Sequence, residues 1–579
     1  MRLLFLRSGP EPCISWIVSL ALCILTASPA LAQSPSGQGA PISLTVDLDE
    51  QIGPMDPMWA YFGYDKANYT YMADGKELLT EISNLSPVPV YVRAHNLLNT
   101  DEGPRGALKW GSTNVYTEDE NGNPVYDWTV MDRIMDTYVE RDMKPLVEIG
   151  FMPKALSSNP EPYRHDWAPG ATYEEIYTGW AYPPKDYEKW AELVHRWVQH
   201  SIERYGREEV KTWKWQVWNE LNIGYWQGTK EEYFKLYDYA VNAVRRALPT
   251  ATVGGPHTTG PRWDVAANWL RDFLEHCARG TNYATGETGA PLDFIAYHAK
   301  GAPEVVDGHV RMSMGVQLQD IKTGFEIISN SDFPDLPIII GEADPEGCAA
   351  CSFQSGYREN AYRNGTLYAS YTASSFAKMY ELADQYDVNF EGALSWSFQF
   401  EGQPWFDGFR SLATNGVDKP VLNVFRMFGM MQGQRVWVAH PDPITAQEVI
   451  ENGVHGRQPD VNALASATDS SATVMVWNYY DDDVPASPAT VSLDVQGLPA
   501  DQVQLVHYRI DEEHSNSYTV WRRMGAPQQV TREQYRKLDR SGHLDLYRSP
   551  RWMDVSDGGD ATLNLTLPRQ GVSLVELSW

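Results

Sequence analysis

Cysteine is scarce in this chain of 579 residues: there are five, and only Cys277, Cys348 and Cys351 lie beyond the apolar N-terminal stretch. Three cysteines without a nearby histidine cluster make a poor zinc site, and no other stretch has metal-ligand spacing, so no metal is expected. The odd count permits one disulfide at most, Cys348 and Cys351 either closing a small loop or staying reduced. A nucleotide-type Gly-rich loop is also missing, and with it the expectation of a cofactor. Positive charge is short as well, 47 Lys and Arg against 76 Asp and Glu giving a net charge of −29. Such a surface repels polyanions, which makes nucleic acid an unsuitable partner and a sulfated or polyuronic polymer an awkward one; neutral sugars meet no such penalty. The sequence has no internal repeat and no low-complexity segment.

The one long apolar run is at the start, where Arg2 and Arg7 precede residues 14–27 and the small-residue tripeptide Ala30-Leu31-Ala32. This pattern reads as a secretory signal peptide, residues 1–32, cleaved before Gln33; it is short for a membrane span of about 20 residues. Its removal takes away Arg2, Arg7 and Glu11 and leaves the mature chain one unit more negative. A secreted or periplasmic protein is expected, with no membrane partner after cleavage.

The remainder, 43% apolar and 21% charged overall, is of globular composition and long enough for two or three domains. Residues 56–431 alternate short apolar runs with helical patterns. Strand candidates are 89–92, 145–149, 212–218, 251–253, 293–297, 337–340 and 392–396, and between them helices such as 231–248 repeat apolar residues at spacings of three and four. Strands alternating with helices imply a parallel sheet, and about eight strands imply an α/β (β/α)₈ TIM barrel, an open doubly wound sheet being the alternative. Residues 432–579 change to β-rich runs without long amphipathic helices, at 474–479, 490–495, 503–510, 561–567 and 572–577, and read as an accessory C-terminal β-sandwich. The N-terminal segment 33–55 alternates similarly at 42–48 and is expected to pair into that sandwich.

In a parallel barrel the active site lies at the carboxyl ends of the strands. The polar residues there are Arg93 and His95, Asn219 and Glu220, His298 and Lys300, and Glu342 and Asp344, with Trp396 closing the last strand. Glu220 and Glu342 follow apolar strands directly. Glycoside hydrolysis needs such a pair, one carboxyl protonating the departing oxygen and the other attacking, or activating water at, the anomeric carbon. A single strand-end glutamate could equally be a salt-bridge partner, but two beside Asn, His and Trp favour catalysis. The 21 Trp and 32 Tyr fit a sugar substrate, since aromatic faces stack on sugar C–H faces. Most of these rings are core; Trp218, Trp226, Trp396 and Trp405, beside strand ends, are expected to line the cleft.

The run Val217-Trp218-Asn219-Glu220-Leu221-Asn222 with Trp226-Gln227-Gly228, followed by Val253-Gly254-Gly255-Pro256, resembles the acid/base region of glycoside hydrolase family 39, which holds β-xylosidases and α-L-iduronidases. Tyr91-Val92-Arg93-Ala94-His95, Glu148-Ile149-Gly150-Phe151-Met152-Pro153, Asp293-Phe294-Ile295-Ala296-Tyr297-His298, Glu342 and Tyr508-Arg509-Ile510-Asp511 extend the likeness over nearly the whole mature chain. The resemblance implies a retaining double displacement with Glu220 as general acid/base and Glu342 as nucleophile. It also implies Asn219 at the sugar 2-hydroxyl, with His95 and His298 holding neighbouring hydroxyls or the nucleophile. Lys300-Gly301-Ala302 and Glu342-Ala343-Asp344-Pro345 look more like the iduronidase branch, where the lysine contacts a uronic carboxylate. Leu221 departs from the proline common after the catalytic Asn-Glu. The leading expectation is a secreted retaining exo-glycosidase acting on an oligo- or polysaccharide, most like a β-xylosidase. The alternatives are a uronidase in which Lys300, with Arg410 as a second contact, binds the carboxylate; an endo-acting polysaccharidase; or a non-catalytic glycan-binding barrel. Retention requires the two carboxyls about 5 to 5.5 Å apart, against about 6.5 to 9.5 Å for inversion.

Overall fold

The computed structural model describes residues 41–101, 111–164, 177–349, 351 and 357–579; the expected signal peptide lies outside them. Eight parallel strands form a ring, β1 (Tyr61–Tyr64), β2 (Tyr91–Ala94), β3 (Lys144–Ile149), β4 (Lys214–Val217), β5 (Thr252–Thr258), β6 (Phe294–Lys300), β7 (Ile338–Asp344) and β8 (Phe390–Ala393, resumed at Ser395–Trp396). The two pieces of β8 close it, the first pairing with β7 and the second with β1. The fold is therefore a (β/α)₈ barrel and not an open sheet. β1 is a four-residue strand buried throughout, so neither length nor alternation marks it in the sequence.

Helices fill the connections because their apolar stripes face the ring. Lys230–Ala247 is the clearest: Thr229 and Glu232 form a reciprocal capping box at its start, and Tyr233, Leu236, Tyr237, Ala240, Ala243 and Val244 are buried along one face. Inside the ring the buried apolar cluster is Tyr61, Leu146, Phe294, Ala296, Ile339, Leu394 and Trp396, with Tyr91 packed against it. Towards the carboxyl ends it gives way to the buried polar side chains Arg93, Glu148, Gln216, His298 and Glu342.

A second sheet has nine strands, in the order 545–554, 502–510, 572–578, 471–479, 460–467, 434–439, 42–54, 489–496 and 561–567. Ile42–Pro54 runs parallel to Ala489–Gln496 and antiparallel to Gln434–Ala439. One apolar core, including Leu44, Val46, Val474, Val476, Leu493, Leu505, Leu565 and Leu577, joins strands from both halves of the sheet. The region also holds short helices, Ala446–Asn452, Ser517–Arg523 and Arg532–Gly542, the last two packed through Trp521 and Leu538 on Phe406 and Val417 of the barrel. Among the described residues no helix is long and apolar enough to cross a membrane.

Candidate active site

Glu342 reaches the ring interior through a β-bulge. Along the β6–β7 ladder Tyr297 faces Ile340 and the next pair is His298 with Glu342, so Gly341 is an extra residue that reverses the alternation. Only glycine fits there, because a Cβ would stand 2.2 Å from His257 Nδ1. Glu220 is positioned by backbone of another kind: Trp218 and Glu220 adopt left-handed φ of 73° and 44°, and the Glu220 N–H donates to the His257 carbonyl at 2.8 Å. Strain of this sort is stored where a side chain must be held in place.

These two carboxylates line a cavity of about 640 Å³ together with Asn219, His95, His298, Lys300 and Trp396. His298 Nδ1 lies 3.1 Å from Glu220 Oε1 and 3.7 Å from Glu342 Oε1. One oxygen of each carboxylate and a His298 nitrogen all fall within 4.8 Å of one another. That spacing could bridge a cation, but the Lys300 ammonium already sits against Glu342 Oε2, so a divalent ion there would meet a fixed positive charge.

Of the residues expected at the substrate, Arg93, Asp344 and Arg410 are buried and do not line the cavity. Arg93 Nη1 donates to Glu342 Oε1 at 3.1 Å and its Nη2 to Asn219 Oδ1 at 2.7 Å, with Glu148 Oε2 2.8 Å from Nη2. Asp344 accepts from the Trp396 N–H at 2.9 Å and pairs with Arg410 at 3.2 Å. Arg410 also pairs with Glu346 at 2.5 Å, and Glu346 with Arg363 at 3.1 Å. Buried charges persist only when paired, and these pairs hold the cavity wall. Two tryptophans expected on the cleft are core instead: Trp218 and Trp226 pack edge to face at 5.2 Å. Trp405 lies off the cavity against Tyr535.

The electrostatics separate the groups. Burial would raise the Glu342 pKa, but Lys300, His298 and His95 outweigh it and hold this carboxyl well below the usual range. Burial likewise opposes charge on Glu220, yet the hydrogen bond from His298 lowers its pKa, while the charge of Glu342 pushes the other way. Burial depresses the pKa of His298 and, more strongly, that of His257. Lys300 is raised because Glu342 more than offsets its burial. Asp344 is pushed up to about 6 by burial, against the pull of Arg410 and Lys300.

Sequence reasoning missed Glu148 and Glu346 as supports. Glu148 was legible as a charge inside the apolar run 145–149, where a buried carboxylate must have cationic partners; here they are Arg93 and His95, the latter at 2.5 Å. Cys348 and Cys351 are disulfide-bonded on the cavity wall, and Cys277 is free and buried.

The model of the glycosyl hydrolases family 39 matches residues 42–543 of this chain. Among curated proteins, the beta-xylosidase of Geobacillus stearothermophilus is 27% identical over 508 residues, covering 84% of this chain and 86% of its own length. The alpha-L-iduronidase of Mus musculus is 26% identical over 600 residues, covering 96% and 82%. Among solved structures, the GH39 enzyme from Xanthomonas axonopodis pv. citri superposes with a TM-score of 0.72 at 21% identity, covering 94% of this chain and 99% of that one. A monomeric beta-xylosidase from Caulobacter crescentus CB15 gives 0.70 at 21% identity, covering 93% and 99%. At such identities the structural likeness bears on the fold alone.

Proposed function

The chain belongs to the glycosyl hydrolases family 39, and from that premise we propose that it is a retaining exo-glycosidase of β-xylosidase type, releasing a neutral terminal sugar by double displacement. The observation that supports retention is that one oxygen of Glu220 and one of Glu342 lie within 4.8 Å of each other, the close approach expected when the second carboxylate itself attacks the sugar. In the first step Glu220 gives its proton to the leaving oxygen while Glu342 attacks the anomeric carbon, forming a glycosyl ester and breaking the glycosidic bond. Glu342 then carries no charge, the field that favoured a proton on Glu220 is gone, and Glu220 becomes the base. It takes a proton from water as the water oxygen attacks the anomeric carbon, which frees Glu342 as the anion and returns the proton to Glu220. Asn219 accepts from Arg93 through Oδ1 and keeps its amide N–H groups for the sugar 2-hydroxyl.

A neutral sugar is favoured because the cation nearest the reacting atoms is committed: Lys300 contacts Glu342 and lies 3.9 Å from Asp344. A second reading, uronide hydrolysis, keeps one observation in its favour, that Lys300 lines the cavity. Turnover of nitrophenyl xyloside, arabinoside, galactoside and uronide by the parent and by Lys300→Met decides between them. If Lys300 serves Glu342, the variant loses activity on every substrate alike. A selective loss on the uronide, about 10- to 150-fold for a charge-assisted contact, overturns the neutral-sugar reading. NMR of the first-formed product tests retention, an inverted anomer ruling it out. The proposal includes export to an oxidising compartment, secreted or periplasmic, which the Cys348–Cys351 disulfide supports.

A further inference from the structure

The cavity has two characters. Its floor is polar, with Asn219, Glu220, His298, Lys300 and Glu342, whereas its mouth carries Ile223, Trp263 and Val305, which are 37%, 51% and 56% exposed. Only twelve large apolar side chains in the described residues are this exposed, and three of them line this one cavity. A single exposed apolar residue needs no explanation; a cluster continuous with a polar cleft marks a binding surface. At about 640 Å³ the cavity also falls in the range of sites that hold ligands larger than one sugar ring.

Two of the three rim segments are tied to each other. Ile223 and Trp263 belong to the loops after β4 and β5, and those loops are tied by two hydrogen bonds: Asn222 Nδ2 donates to Thr259 Oγ1 at 2.7 Å, and the Thr259 N–H to Asn222 Oδ1 at 2.8 Å. The Arg262 guanidinium lies 4.8 Å from the centre of the Trp263 ring. Its backbone N–H donates to Asp320 Oδ1 at 2.9 Å and its Nε is 3.4 Å from Asp320 Oδ2, which fixes the residue beside the indole. A ring fixed in advance loses little conformational freedom on binding.

Chemistry says which part of the substrate meets this rim. The oxygen that Glu220 protonates is the leaving oxygen, so the group attached to it must extend on the Glu220 side, along the loop in which the Ile223 N–H donates to the Glu220 carbonyl at 3.1 Å. We propose that Trp263, flanked by Ile223 and Val305, is the stacking platform for the sugar ring on the leaving-group side and so determines preference among leaving groups. The inference rests on the glycosidase reading and adds to it a substrate class: a terminal sugar linked to a second pyranose ring.

The test compares kcat/KM of the parent, Trp263→Ala and Trp263→Phe on the disaccharide, the methyl glycoside and the phenyl glycoside of the sugar identified by the substrate panel. Disaccharide and methyl glycoside both release an alkyl alcohol that needs the Glu220 proton, but only the first places a ring on the rim. In Trp263→Ala the disaccharide is expected to lose about tenfold more than the methyl glycoside, chiefly through KM, with Trp263→Phe recovering most of the loss. Equal losses on the two substrates, or none on either, overturn the platform. A selective loss confined to the phenyl glycoside overturns the second-sugar assignment in favour of an aryl aglycone. Parent turnover of the methyl glycoside reports the proposed function by itself, so the two readings fail separately.

Discussion

In the sandwich strand Ala561–Leu567 buried and exposed side chains alternate without exception, while all six residues of β3, Lys144–Ile149, are buried, Glu148 among them. The first strand has one wet face, and its core partners are aliphatic. The second is closed in by helices outside and by the ring inside, so its charges have nowhere to go but to one another. Arg93, Glu148, His95, Glu342 and Lys300 form one connected set within the barrel, with Arg410, Glu346 and Arg363 behind Asp344. Folding gains little from such pairs relative to apolar packing. Their concentration at the carboxyl rim of one domain is therefore best understood as machinery, and the sandwich as scaffold.

The sharpest break of this contrast is Glu342→Ala. Without the nucleophile no glycosyl ester forms, and kcat is expected to fall on the order of 10⁴-fold or more on every substrate, whatever its leaving group. Residual turnover within tenfold of the parent, in protein shown to be folded by circular dichroism, would remove Glu342 from the reaction.

Glu220→Ala is expected to be gentler and selective. Unactivated glycosides should lose about 10²- to 10⁴-fold in kcat/KM, the usual contribution of a general acid, while dinitrophenyl glycosides, whose leaving group needs no proton, are largely spared. Added azide should accelerate turnover of the activated substrate and yield the glycosyl azide of retained configuration. Equal damage to both substrate types would sink the assignment.

The scaffold side of the comparison is probed by Leu493→Ala, at a fully buried core position of the sandwich. Denaturant melts should show a loss of about 2 to 5 kcal/mol, with kcat per folded molecule unchanged. A large drop in kcat in protein that remains folded would mean that the sandwich shapes the site.

The same contrast explains what could be read from the sequence. Alternation exposes one-sided strands such as 561–567, and strand-end position exposes the top of a barrel, so the architecture and the Glu220 and Glu342 positions were legible. Two-sided burial hides a strand such as the four-residue β1, and two-sided exposure hides one such as Asp545–Asp554, because neither leaves a period to find. Strand-end position also says nothing about which partner a charged side chain takes. Arg410, which follows the last strand, pairs with Glu346, a partner 64 residues away in sequence and adjacent only in the fold. The bulge at Gly341 is hidden likewise, since strict alternation would turn Glu342 to the face of Ile340, outside the ring.

The smallest expected effect sets one buried histidine of each domain against the other. Burial disfavours charge on His95, but Glu148 at 2.5 Å and Glu342 at 3.3 Å overcome it and push its pKa up to about 9. In the sandwich His507 Nε2 lies 3.1 Å from Ser573 Oγ, and burial together with Arg509, Arg548 and Arg551 pushes its pKa down to about 3. The ordinary value is 6.5 in both cases. A raised value means that the folded state holds a proton the unfolded chain gives up, so the contribution of His95 is fully present below about pH 6.5 and is lost as pH rises through about 9. A lowered value reverses the sign: the unfolded chain takes up a proton that folded His507 refuses, and stability falls as pH drops from about 6.5 towards 3. Thermal melts of the parent, His95→Gln and His507→Gln across pH 4 to 10 separate the two. The parent should lose a few degrees more than His95→Gln on the alkaline side only, and a few degrees more than His507→Gln on the acid side only. Parallel curves for the parent and His95→Gln above pH 7 would mean that this imidazole is uncharged, and the barrel would then hold one cation fewer around its nucleophile than the geometry assigns.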